Sequence, residues 1–188
     1  MDNILFINAC PRPDSRTREL AQHVLSKLEG NVEKLRLFDE QIAPLDMAGM
    51  VERDRAVREG DWDAPILRYA RQFAAADTIV VAAPYWDLLF PAVVRAYFEA
   101  VTVTGVTFRY TPEGFPAGMC RAKRLIYITT AGGPIGEYNL GFDYIKALST
   151  LYYGIPEVKC FTAEFLDIIG ADVPAIMAKA KEAVDNQL

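Results

Sequence analysis

The chain has 188 residues, 52% of them hydrophobic, with a formal net charge of -5 and a sequence pI near 5.0. That length fits one domain spanning 1–188, burying roughly 70% of its unfolded surface, and the acidic balance argues against a nucleic-acid partner, whose binding needs clustered Lys and Arg. The start Asn3-Ile4-Leu5-Phe6-Ile7 carries no secretory pattern, and no apolar run approaches the roughly 18 residues of a membrane helix. Cys10, Cys120 and Cys160 are too widely spaced for a disulfide framework or a metal cluster, so a cytoplasmic protein without bound metal is expected.

Short apolar segments alternate along the chain with longer ones of helical period, which is the pattern of βα units around a parallel sheet. Strands are expected at 3–8, 32–37, 77–83, 123–130 and 157–163. Helices are expected at 16–29, 62–75, 92–102, 138–153 and 174–185, each from apolar residues spaced three or four apart, such as Leu20, Val24 and Leu28 in the first. Five strands and five helices in this order give an α/β fold, a three-layer doubly wound sheet. Strand order 2-1-3-4-5 is one of its two common forms and places ligand loops after strands 1, 3 and 4. Two segments fall outside the repeat and read as long loops: polar 39–61, interrupted by Pro44, Gly49 and Gly60, and 104–121, with Phe108, Tyr110 and Phe115.

The loop after the first strand, Asn8 to Arg18, sets Ser15 and Thr17 beside the free N–H groups of a helix start and adds Arg12, Arg16 and Arg18. Those groups suit a phosphate monoester; equally, Ser15 or Asp14 serves as an ordinary cap and the arginines are solvated. GxGxxG and GxxxxGK[ST] are both absent. After the third strand, Pro84 stiffens the exit and presents Tyr85, Trp86 and Asp87 in a restricted geometry. Tyr85 and Trp86 offer flat faces to an aromatic ligand, or else simply pack into the core, and the N–H groups of Trp86, Asp87 and Leu88 are available to a polar edge. After the fourth strand, Thr130-Ala131-Gly132-Gly133 allows close backbone approach, although an ordinary tight turn has the same composition. His23, the single histidine, is expected on a solvated helix face, and Cys10 as a small residue fitted between strand and turn.

The pattern Pro-x-Trp-Asp-x-x-x-Pro at 84–91, then Tyr97-Phe98, then Gly105 to Tyr110, with Thr129 to Gly133 and Ser15-Arg16-Thr17, resembles the FMN-dependent NADH azoreductases and related NAD(P)H quinone oxidoreductases of flavodoxin-like fold, over nearly the whole chain. The resemblance implies an enzyme with FMN as bound cofactor and NADH or NADPH as electron donor. It would work by ping-pong hydride transfer to a quinone, azo or nitro aromatic acceptor. By the same resemblance, Arg12, Ser15, Arg16 and Thr17 hold the flavin phosphate, Pro84 to Asp87 line the ring, and Thr130 to Gly133 serve its pyrimidine edge. Phe108, Tyr110 and Phe115 wall the substrate space, partly supplied by the second subunit of a homodimer. Two departures stand out: relatives usually carry Asn at Asp87, and some use a histidine after the Gly-Gly pair, for which Tyr138 is the nearest replacement here. An electron carrier without NAD(P)H turnover and a cofactor-free member of the fold are the competing readings.

Overall fold

The computed structural model describes residues 1–188 and contains five parallel strands in one sheet: β1 (Asn3–Asn8), β2 (Asn31–Arg36), β3 (Thr78–Ala82), β6 (Arg124–Thr130) and β7 (Glu157–Ala163), in the order β2-β1-β3-β6-β7. This is the expected 2-1-3-4-5 arrangement, flavodoxin-like and α/β. Alternation along the central strands builds the two cores. Leu5 and Ile7 of β1, Ile79 and Val81 of β3, and Leu125 and Tyr127 of β6 face one side, while Ile4 and Phe6, Val80 and Ala82, and Ile126 and Ile128 face the other.

Helices α1 (Arg16–Ser26) and α6 (Val173–Asp185) cover the second side, joined through Leu20, Val24, Met177 and Val184. His23 is half-buried here rather than solvated, with Nε2 2.8 Å from Asp185 Oδ1, and so ties the two helices together. The opposite face is covered by α3 (Arg68–Ala75), α4 (Ala92–Val101) and α5 (Leu140–Leu148), around Phe73, Val94, Tyr97, Phe98 and Ile145. A single π turn, Ser149–Tyr153, follows α5 and ends at Gly154, whose φ of 71° closes it in the left-handed region.

Both expected long loops contain regular structure. Residues 47–59 form a sixth helix, α2 (Met47–Glu59): Asp46 caps it by accepting from Gly49 N–H at 2.8 Å, and Gly60 ends it at φ 70°. A cap and a stop were therefore present in the sequence, but α2 buries little beyond Ala56, so no apolar stripe announced it. Within 104–121, β4 (Phe108–Tyr110) pairs antiparallel with β5 (Pro116–Gly118). This hairpin lies at the amino-terminal edge of the sheet: Arg121 N–H donates to Ala74 O and Lys123 N–H to Asp77 O, just ahead of β3. No helix of the protein is long and apolar enough to cross a membrane.

Candidate functional site

At the opposite, carboxyl-terminal edge, where β1 and β3 diverge toward their separate helices, the chain leaves a cleft of ≈ 340 Å³. Pro11, Arg12, Asp14, Ser15 and Arg16 line one end, Pro84, Tyr85 and Trp86 one wall, and Thr130, Ala131 and Gly132 the floor; Leu166 and Asp167 close the remaining side.

The first loop is built around the start of α1. Ser15 Oγ accepts the Arg18 N–H at 3.3 Å and Ser15 O accepts that of Glu19. The amides of Arg16 and Thr17 have no acceptor within the chain, so two donors and the positive end of the helix are directed to this end of the cleft. Thr17 does not line the cleft. It is buried, and its hydroxyl shares a 2.6 Å hydrogen bond with the hydroxyl of Thr130, joining the first loop to the end of β6. Cys10, also buried, has its thiol pushed up by desolvation against the smaller opposing pull of Ser15, Arg18 and Arg36, and fills space behind the loop as a neutral group.

The second loop is a closed turn. Trp86 N–H donates to Leu89 O at 3.1 Å and Leu89 N–H to Trp86 O at 2.8 Å, leaving Asp87 and Leu88 as a two-residue connection with φ of 51° and 69°. Positive φ at both positions is the pattern of a type I′ turn. Asp tolerates it much as Asn does, whereas an apolar leucine is strained there. The backbone therefore accounts for a short polar residue at 87, and the Asp87 side chain is exposed outside the cleft lining. The free amides here belong to Asp87 and Leu88; that of Trp86 is used within the turn. Tyr85 is fixed at both ends: its N–H donates to Thr130 O at 3.0 Å and its hydroxyl to Tyr138 O at 3.0 Å. Tyr138 contributes that carbonyl; its own side chain is 60% exposed and lies outside the lining.

The third loop leaves the N–H groups of Gly132 and Gly133 without acceptors, because the loop after β7 pairs with its carbonyls instead: Leu166 N–H to Ala131 O, Asp167 N–H to Gly132 O and Phe165 N–H to Gly133 O. A Cβ on Gly133 would meet nothing within 4 Å, whereas one on Gly132 would sit 2.4 Å from Asp167 Oδ2. Asp167 Oδ1 in turn accepts from Arg16 Nη1 at 2.8 Å, and Leu166 O accepts from the same nitrogen at 3.0 Å. This fourth loop, 164–171, escaped the reading of the sequence. Its place after the last strand at the ligand edge was the available signal, but it holds no glycine pair, hydroxyl cluster or proline to set it apart.

Phe108, Tyr110 and Phe115 are not part of the cleft. Phe108 is buried against Tyr152, with centroids 4.9 Å apart, and against Tyr110 at 5.4 Å. Phe115 is 69% exposed on the same hairpin. All three stand at the far edge of the sheet, beyond the reach of the cleft in one protomer.

Order 2-1-3-4-5 with a ligand-sized cleft at the β1/β3 switch point defines an α/β protein of the doubly wound, flavodoxin type. Sequence comparison agrees: the family described as having a flavodoxin-like fold matches residues 2–188, and the chain belongs to that family. It is 36% identical to an FMN-dependent NADH:quinone oxidoreductase of Lachnoclostridium phytofermentans, over 97% of this chain and 96% of the relative. Among solved structures, the azoreductase from Bacillus anthracis str. Sterne superposes with a TM-score of 0.84 at 23% identity, covering 99% of this chain and 98% of that one. An FMN-dependent NADH-azoreductase from Bacillus anthracis str. Ames Ancestor in complex with FMN gives 0.80 at 20% identity, covering 99% of each. At these identities the two structures bear on the fold.

Proposed function

We propose that the protein is an FMN-dependent NAD(P)H oxidoreductase that reduces quinones, azo or nitro aromatic compounds. The observation that carries this is the convergence, in one cleft, of unpartnered amides at the start of α1, a tethered aromatic wall and the free amide of Gly132, with that of Gly133 adjoining the lining. A phosphorylated ligand with a flat polar ring meets a complementary group at each point, so the residues present fit FMN. The relative sharing 36% identity is named for the same cofactor and donor.

When bound, FMN would supply the redox chemistry between NADH or NADPH and the acceptor. The protein's part is binding and orientation. Ser15, the amides of Arg16 and Thr17, and the guanidinium groups of Arg12 and Arg16 hold the phosphate, and Tyr85 and Trp86 flank the ring. Gly132 and Gly133 N–H groups oppose its polar edge, where donors fixed before the reaction favour developing negative charge. Asp87 acts through its backbone. Tyr138 holds Tyr85 through its carbonyl.

The reading extends to a cytoplasmic homodimer of single-domain protomers. Tyr110, Phe115 and Leu151 are more than half exposed, and Tyr110 lines a groove of ≈ 550 Å³ with Phe98, Tyr144, Leu148 and Tyr152 and with the charged Arg53, Arg95 and Glu99. A surface that combines exposed aromatics with charges of both signs fits a second copy. In that assembly the hairpin carrying Phe108, Tyr110 and Phe115 walls the partner's cleft.

Absorbance spectroscopy of the purified protein with added FMN, followed by anaerobic stopped-flow mixing with NADH, tests the function. Flavin binding followed by rapid bleaching is expected. Binding without bleaching would return the protein to the electron carriers, and absence of binding would leave it a cofactor-free member of the fold. Sedimentation equilibrium tests the dimer, with a monomer at micromolar concentration overturning it.

A further inference from the structure

The Arg16–Asp167 pair places a carboxylate at the end of the cleft read as the phosphate site. Arg16 Nη1 is engaged by Asp167 Oδ1 at 2.8 Å and by Leu166 O at 3.0 Å, while the neighbouring amides of Arg16 and Thr17 are free. The carboxylate has this one partner, and the loop that carries it is tied down through its backbone and through Glu164. Asp167 N–H donates to Gly132 O, Leu166 N–H to Ala131 O, Phe165 N–H to Gly133 O, and Glu164 Oε2 accepts from Ile135 N–H at 2.8 Å. Phe165 is kept at φ 63° within this clamp, a conformation that costs a non-glycine residue about 1 kcal/mol or more. A Cβ at position 132 would press on the Asp167 side chain and force it to shift. The loop after β7 therefore sets one negative charge at the cationic end of the cleft, on a strained and well-tied backbone.

We infer that Asp167 is a specificity-determining residue, an internal anion that occupies the Arg16 guanidinium and lowers the protein's preference for a phosphorylated over an unphosphorylated flavin. This rests on the reading of the cleft as the FMN site. Without ligand, the carboxylate neutralises Arg16. When a phosphate takes the amides of Arg16 and Thr17, it competes with Asp167 for the guanidinium and shares the cleft with that like charge. Riboflavin, which has no phosphate, meets neither cost. Because the Asp167 side chain is 73% exposed, solvent screens the effect. It amounts to roughly three- to tenfold in affinity.

The test measures dissociation constants of FMN and riboflavin by flavin fluorescence quenching for the wild-type protein and Asp167→Asn. This substitution removes the charge while retaining the shape and an acceptor for Arg16. The expected result is FMN binding tightened three- to tenfold at low ionic strength, a gain that shrinks as salt is added, and unchanged riboflavin binding. FMN binding that is unchanged or weaker in the variant overturns the inference while leaving the cofactor assignment intact. Equal tightening of both flavins also overturns it, because the effect is then not at the phosphate. Absence of flavin binding by both proteins overturns the cofactor assignment, and this inference with it.

Discussion

The two edges of the sheet use similar residues to opposite ends. At the carboxyl edge, Tyr85 and Trp86 stand in a turn with left-handed φ at Asp87 and Leu88, and the amides of Arg16, Thr17, Gly132 and Gly133 are left without acceptors. At the amino edge, Phe108 of the β4–β5 hairpin packs edge-on against Tyr152, Thr107 Oγ1 donates to Val101 O at 2.9 Å while accepting from Val103 N–H at 3.1 Å, and the backbone is tied back to Ala74 and Asp77. Loops of similar composition thus differ in what they leave unfinished. Unsatisfied donors and strained backbone are costs the fold tolerates where a ligand completes the site; aromatic richness alone marks either packing or binding.

The sharpest way to break that contrast is to remove packing at the amino edge. Tyr153 is fully buried, sits 4.9 Å from the Phe73 centroid, and shares a 2.6 Å hydrogen bond with Thr102. Tyr153→Ala is expected to cost about 3–5 kcal/mol of unfolding free energy in a denaturant titration while leaving the flavin affinity of the folded protein unchanged. A loss of flavin affinity without loss of stability would put the two edges in one functional unit. Ser15→Ala is the complement at the cleft. Losing a hydrogen bond to a charged phosphate weakens FMN roughly tenfold, while loss of the cap on α1 lowers stability by only about 1 kcal/mol. Unchanged FMN affinity would remove the phosphate from this end of the cleft.

Strain gives a finer test. Leu88 is exposed at φ 69° and takes no part in the cleft lining, so Leu88→Gly is expected to raise thermal and denaturant stability by about 1 kcal/mol. Lower stability would show that the leucine side chain is held by packing that outweighs its backbone cost.

The central fold was legible because period-two alternation in β1, β3 and β6 feeds two cores at once, and few other architectures need strands apolar on both faces. The ends of elements were less so: the first helix stops at Ser26, short of Glu29, and α3 begins only at Arg68, after a short 3₁₀ turn at Pro65–Leu67. Helix α2 hid because it lies on the surface with a single buried residue, leaving only its caps as a signal. In the cleft, the hydroxyls, the aromatic turn and the glycine pair could be placed from local chemistry together with strand order. The destinations of their bonds could not. That Thr17 turns inward to Thr130, that Trp86 spends its amide within its own turn, and that Asp167 reaches across to Arg16 all depend on segments 113 and 151 residues apart or on the left-handed φ of a turn that contains no glycine.

The smallest expected effect concerns how the amino edge is tied. Asp77 Oδ2 accepts the Asn3 N–H at 3.0 Å and Oδ1 accepts from Arg121 Nη2 at 2.8 Å, so one carboxylate joins the start of β1 to the exit of the hairpin. The Asn3 N–H bond is the largest influence and, with the help of Arg121, outweighs desolvation to hold the pKa below the ordinary 3.8. A carboxyl with a folded pKa below its unfolded one binds protons more weakly in the folded state. Its stabilisation is therefore complete above pH 3.8 and is lost as pH falls through the folded value. Asp77→Asn keeps an acceptor for Asn3 but cannot ionise. Its unfolding free energy is expected to fall less steeply than that of the wild type below pH 4, with the two curves parallel above pH 5. Parallel curves throughout the acid range would show that Asp77 ties the amino edge by geometry alone, leaving the difference between the two edges of the sheet to packing and hydrogen bonds rather than to charge.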